Sequence, residues 1–114
     1  MLIDGFYAAY ITGKATQAFA MLVFRKGIIV GADNGGVKYD GNYTDTDGGS
    51  ALSLTISIPP NTQLVQGVTT GPEQQENQIE FQLPEDFLSQ PFITISLKDG
   101  PVNVKFVKLR GLHE

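Results

Sequence analysis

In the stretch FRKGIIVGADNGGVKYDGNYT, residues 24–44, strand and turn patterns alternate, and this alternation is the strongest indication of the fold. Lys26-Gly27 puts glycine where a tight turn needs a positive φ angle. Asp33-Asn34-Gly35-Gly36 is a second and denser turn pattern. Between them, Ile28-Ile29-Val30 is β-branched throughout and favours a pleated surface. The stretch therefore predicts short strands joined in sequence by tight turns.

The end of this stretch predicts a curved strand. Tyr39, Gly41 and Tyr43 fall on one face, because side chains alternate along a strand. The glycine lets the strand bend or lets a neighbour approach closely, and the two rings then cover the gap.

The remainder of the chain continues the pattern. Short alternating segments are separated by thirteen glycines and six prolines, which is typical of an all-β sandwich or barrel. Besides the strands of the opening stretch, the predicted strands are residues 5–12, 16–25, 50–58, 62–68, 78–83, 92–97 and 102–109. Residues 71–77 are expected to form an exposed loop, and residues 84–88 have room for one short helical turn. In residues 50–58 the strict alternation predicts that Leu52, Leu54, Ile56 and Ile58 face inward.

Eight or nine strands joined mostly by short turns favour a meander that closes on itself, since closure removes exposed strand edges. We therefore expect one domain over residues 1–114, an antiparallel up-and-down β-barrel of lipocalin-like type with about eight strands. An open sandwich is the alternative.

Composition argues against several function classes. Charged residues are 18 % of the chain and the formal net charge is −4, whereas nucleic-acid binding depends on basic side chains that neutralise phosphates. The chain has no cysteine, and its single histidine, His113, is next to the C-terminus. We expect no metal centre, no cofactor and no enzyme activity. Asp45 and Asp47 lack the spacing of a dedicated calcium loop, so a plain turn is the better interpretation.

The N-terminal residues lack a basic leader, and no apolar run approaches the length of a membrane span. We expect no membrane association, and a cytoplasmic location follows by default.

The opening stretch, together with Asp4, Gly5 and Tyr7, resembles the N-terminal half of the GrlR family, small bacterial β-barrel proteins named for a negative regulator of type III secretion genes. The matching pieces are Asp4-Gly5-x-Tyr7, Gly27, Gly31-Ala32-Asp33 and Tyr39-x-Gly41-x-Tyr43, within residues 4–58. The resemblance implies a regulator that sequesters a protein partner, such as a transcriptional activator, without touching DNA. It also implies that Asp45 and Asp47 contact that partner, where the founding member has four consecutive acids.

The second hypothesis is a carrier or sensor of a small apolar ligand, because an eight-stranded barrel either is filled by side chains or holds one small molecule. The side chains expected to face the interior are apolar or aromatic: Phe6, Phe19, Tyr39, Tyr43, Leu54, Ile56, Phe81, Ile95, Val104 and Phe106.

The first two strands are apolar on both faces, so one face must lie outside a closed barrel. A patch of that extent commonly marks an interface. We expect a homodimer, as the GrlR resemblance also implies, with Tyr7 and Leu22 as outer anchors.

Overall fold

The computed structural model describes residues 3–112, which form eight antiparallel strands and no helix. His113 lies outside the described residues. The strands are β1 (Gly5–Thr12), β2 (Gln17–Arg25), β3 (Ile28–Asp33), β4 (Lys38–Thr46), β5 (Gly49–Ile58), β6 (Gln75–Pro84), β7 (Ile93–Leu97) and β8 (Gly100–Gly111).

The strands form one sheet in the order β6-β5-β4-β3-β2-β1-β8-β7. Because β1 pairs with both β2 and β8, the meander curls back on itself into a nearly closed barrel. β6 and β7 are the two edge strands of this sheet. The predicted small up-and-down barrel is confirmed.

The turn at Lys26-Gly27 has the conformation that the sequence predicts. Arg25 pairs with Ile28, so the hairpin loop has two residues, with φ angles of 47° at Lys26 and 84° at Gly27. Positive φ at both positions is the type I′ geometry that matches the twist of the flanking strands.

Gly41 allows the close approach expected of it. A Cβ atom added there would lie 1.9 Å from the Ser53 carbonyl oxygen on β5. Any side chain would therefore force β4 and β5 apart.

Two local predictions were wrong. Residues 62–68 are not a strand; the segment doubles back on itself, with Gly67 at a φ of 103° and one isolated bridge between Gln63 and Thr69. Residues 84–88 are not helical; they form hydrogen-bonded turns, such as the Phe87 amide donating to the Pro84 carbonyl at 3.1 Å. The expected loop over residues 71–77 is shorter, since β6 begins at Gln75.

The inward face of β5 is confirmed, since Leu52, Leu54, Ile56 and Ile58 are all buried. The faces assigned to β1 and β2 were reversed. Tyr7 and Leu22, expected outside, are 1 % and 8 % exposed, whereas Phe6 and Phe19, expected inside, are 36 % and 38 % exposed. Tyr7 faces inward because its ring packs on Phe24 and Phe87 inside the barrel.

Within residues 3–112, no helix is long and apolar enough to cross a membrane.

Candidate functional site: an apolar cavity in the barrel

Five buried aromatic side chains close one end of the barrel: Tyr7, Phe24, Tyr43, Phe87 and Phe106. We call this set the aromatic plug. The Tyr7 and Phe24 ring centroids are 5.0 Å apart, and those of Phe87 and Phe106 are 5.4 Å apart at nearly right angles. These edge-to-face contacts are the favoured geometry for packed rings. The packed rings of the plug therefore fill the barrel interior at this end.

The two tyrosine hydroxyls of the plug have polar partners. Tyr7 donates to the Ile3 carbonyl at 2.7 Å, and Tyr43 donates to the Asp4 carboxylate. Burial, with the nearby Asp4 charge, raises the pKa of Tyr7 to about 12. Burial and the bond to Asp4 likewise raise the pKa of Tyr43. Burial opposes ionisation of Asp4, but hydrogen bonds from Tyr43 and the Lys26 amide leave its pKa lowered.

Above the plug lies a cavity of about 560 Å³. Seven of the side chains predicted to face the interior line it: Tyr39, Leu54, Ile56, Phe81, Ile95, Val104 and Phe106. The deep part of this lining is apolar, so it offers contact area without fixed charge.

The room for the cavity comes from β1 and β2. Ala9, Ala18 and Ala20 take inward positions there and line the cavity. Ala9 and Ala20 are almost completely buried. Sequence reasoning missed these residues, although Ala18 and Ala20 at alternate positions of β2, with Ala9 opposite Ala20 on β1, form a pattern that leaves space inside a barrel.

The segment of residues 59–74 folds over the open end, and we call it the lid. The Val65 carbonyl accepts hydrogen bonds from the amides of Ala15 at 2.8 Å and Thr16 at 3.2 Å, in the β1–β2 turn. The side chains of Leu64 and Val65 pack against the core. The lid thus covers the mouth with apolar side chains while being held by backbone bonds at its tip.

Hydrogen bonds of Thr70 connect the two ends of the lid. Thr70 accepts a hydrogen bond from the Thr62 amide at 2.8 Å and donates to the Pro59 carbonyl at 3.1 Å. Thr70 is buried, so these bonds satisfy a polar group inside the structure.

Tyr39 and Asp33 form a hydrogen-bonded pair in the lining of the cavity, near its mouth. The Tyr39 hydroxyl donates to Asp33 at 3.1 Å, while the other carboxylate oxygen of Asp33 accepts from the amides of Gly35 and Val37. Burial and the Asp33 charge raise the pKa of Tyr39, so its phenol is neutral at physiological pH. This set orders the β3–β4 turn at the rim of the cavity.

Three predicted interior residues lie elsewhere. Tyr43 belongs to the aromatic plug, below the cavity. Phe6 and Phe19 lie on the outer surface, so their assignment to the ligand pocket was wrong. Of the two expected dimer anchors, Leu22 lines the cavity and Tyr7 belongs to the plug, so both assignments to the outer face were also wrong.

Asp45 and Asp47 are exposed near the tip of the β4–β5 hairpin, at the plug end of the barrel. In residues 3–112, no group of three or more His, Cys, Asp or Glu side chains is arranged to hold a metal ion.

Comparison with protein-family models, with curated proteins and with solved structures gives no significant match to this chain. The resemblance to the GrlR family therefore stays a prediction from the sequence.

Proposed function

We propose that this protein binds one small apolar molecule inside its barrel, as a carrier or sensor. The observation that carries the proposal is the cavity of about 560 Å³ with an apolar lining. Ligand sites commonly enclose roughly 300–1,000 Å³ and are lined mainly by apolar and aromatic side chains. The cavity falls within that range.

The construction of the barrel also supports this proposal. A barrel filled by its own side chains would carry large residues at the three inward positions of β1 and β2 that Ala9, Ala18 and Ala20 occupy. The plug confines the space to one end, and the lid covers it at the other. An apolar ligand would thus exchange water for apolar side chains over much of its surface, which is the source of its binding free energy.

The experiment is a titration with N-phenyl-1-naphthylamine, a neutral apolar dye that fluoresces on leaving water. We expect saturable fluorescence with one dye per chain, and competition by the natural ligand extracted from freshly purified protein. Native mass spectrometry before and after organic extraction would show that ligand directly. Absence of saturable dye binding to extracted protein would overturn the proposal.

A second candidate function is the one that the GrlR resemblance implies, sequestration of a protein such as a transcriptional activator. The observation that favours it is the exposure of both Asp45 and Asp47 on one projecting hairpin. Exposed acids of this kind steer and orient a basic partner surface.

The double substitution Asp45→Asn and Asp47→Asn tests the second function. Since both residues are exposed, the melting temperature should stay nearly unchanged. A protein that is captured by the wild type and lost with the double variant would support the role of the hairpin. Equal capture by both forms would reject it.

A further inference from the structure

We infer that the cavity selects amphiphiles whose polar head is uncharged or cationic and discriminates against carboxylates. This inference rests on the proposed ligand-binding function and names the ligand class of the same site. It follows from where the charges of the lining lie and from their sign.

The lining is divided along the barrel axis. Its deep part consists of apolar and aromatic side chains such as Leu22, Leu54 and Phe106. Its outer part consists of side chains from the turns and strand ends at the mouth, including Gln17, Asn34 and Gln66. A ligand with an apolar body and a polar head matches this division, with the body inside and the head among the turns.

Negatively charged side chains outnumber positively charged ones in the lining of the cavity. Among residues 3–112, two carboxylates line the cavity at its mouth, those of Asp33 and Asp99, against the one ammonium group of Lys98. A third, that of Glu80, borders the cavity from an exposed position in the middle of β6. Lys14 and Lys38 lie in or beside neighbouring turns but do not line it. A ligand carboxylate at the mouth would therefore meet a net negative field.

Uncharged polar groups at the same rim suit an uncharged head. The amide side chain of Gln63 offers both donors and an acceptor. The Asn34 Oδ1 atom already accepts from the Phe19 amide at 3.0 Å, so Asn34 offers chiefly its N–H donors. The Gln66 Nε2 atom donates to the Gly100 carbonyl at 3.5 Å, so Gln66 offers chiefly its carbonyl oxygen. A hydroxyl or amide head group can exchange its water for such partners, whereas a carboxylate would lose hydration without gaining a matching cation.

The test is displacement of N-phenyl-1-naphthylamine by three probes of one chain length: decan-1-ol, decylamine and decanoate. All are used at pH 7.5, below the concentrations at which they form micelles, with circular dichroism to verify that the fold is intact. We expect decanol and decylammonium to compete about fivefold or more better than decanoate. The difference should shrink as salt is raised, because the charges at the mouth are accessible to ions.

Two substitutions on the same β7–β8 turn make a matched pair. Asp99→Asn removes an acid and should narrow the discrimination against decanoate, whereas Lys98→Gln removes the base and should widen it. Equal competition by all three probes would overturn the charge selectivity while leaving the ligand-binding function standing. If dye binds but decanol and decylammonium do not compete, the inferred ligand class is wrong. If no dye binds, the proposed function fails and this inference fails with it.

Discussion

Ala9 and Ala20 face each other across the β1–β2 pair, and both line the cavity. Two larger side chains at these positions would meet above the aromatic plug and occupy the space that a ligand would take. The cavity therefore depends on a pair of small residues on adjacent strands.

The first prediction follows from this pair. The double substitution Ala9→Leu and Ala20→Leu should abolish dye binding while the barrel stays folded. Overpacking a dense core typically costs about 1–3 kcal/mol, but here the added carbons enter empty space, so the free energy of unfolding should fall less. Dye titration and urea denaturation measure the two quantities. Thr44→Leu, at an exposed position of β4, is the control. Undiminished dye binding in the double variant would place the dye outside the barrel.

The second prediction concerns the lid. A Cβ atom on Gly13 would lie 2.4 Å from the Val65 carbonyl oxygen, which holds the tip of the lid. Gly13→Ala should therefore loosen the lid and speed ligand release, at a cost to stability of about 1 kcal/mol. Stopped-flow dissociation of the dye measures the rate.

Gly71→Ala is the control for this lid variant. Gly71 lies in the same segment, and an added Cβ there meets no atom within 4 Å. Equal dissociation rates in Gly13→Ala and the wild type would mean that the lid does not limit release.

The lid also shows where prediction from sequence ends. The sequence TQLVQGV, residues 62–68, is predicted to be a strand and contains three apolar residues, Leu64, Val65 and Val68. In the fold, Leu64 and Val65 pack against the core at the mouth, and Gly67 turns the chain back. Apolar residues in a short segment indicate that some of its side chains are buried, but they do not indicate whether a neighbouring strand is available for pairing.

The β2–β3 turn and the inward face of β5 could be predicted from the sequence, because each depends only on residues that are close together in the chain. The turn at Lys26-Gly27 needs only its own φ angles, and β5 alternates with one apolar face. β1 and β2 carry apolar residues on both faces, so the pattern could not decide whether Tyr7 or Phe6 points inward. The cavity itself depends on the summed volume of many inward side chains, which no single strand reveals.

The third prediction is a loss of stability at high pH. Tyr7, Tyr39 and Tyr43 have raised pKa values in the folded protein, that of Tyr7 to about 12. In the unfolded chain tyrosine ionises near pH 10. The stabilising contribution is therefore complete below about pH 10 and is lost as pH rises toward the folded pKa, about 1 kcal/mol for Tyr7 by pH 11.

Urea denaturation from pH 8 to pH 11 measures this dependence. Tyr43→Phe removes one of the three groups, so its free energy of unfolding should fall less steeply with pH than that of the wild type. Tyr10→Phe, which removes an exposed phenol, controls for loss of a tyrosine as such. A slope that Tyr43→Phe leaves unchanged would contradict the assigned cause.

The fourth prediction concerns the outer surface of β1, β2, β3 and β8, which we call the outer apolar face. It is continuous, since Phe6 pairs with Val23 and Val23 with Val30, and the Tyr10 and Phe19 rings are 5.3 Å apart. Ala8 on this face is itself buried between its larger neighbours. Its exposed large apolar side chains are Phe6, Tyr10, Phe19, Met21, Ile28, Val30, Val107 and Leu109.

An apolar surface of this extent is uncommon on a monomer, and two copies can cover it together about a two-fold axis. We expect a homodimer through the outer apolar face, with Phe19 and Met21 in place of the anchors inferred from the sequence. Met21 lies at its middle, opposite Ala8 on one side and Ala32 on the other. Met21→Lys should therefore give a monomer with little change in melting temperature, because the side chain is 42 % exposed within one chain. Sedimentation velocity over a concentration series measures the mass.

Leu88→Lys, at an exposed residue in the turn after β6, is the matched control and should stay dimeric. A monomeric wild type at high micromolar concentration would end the dimer hypothesis, and a dimer that survives Met21→Lys would move the interface to another surface.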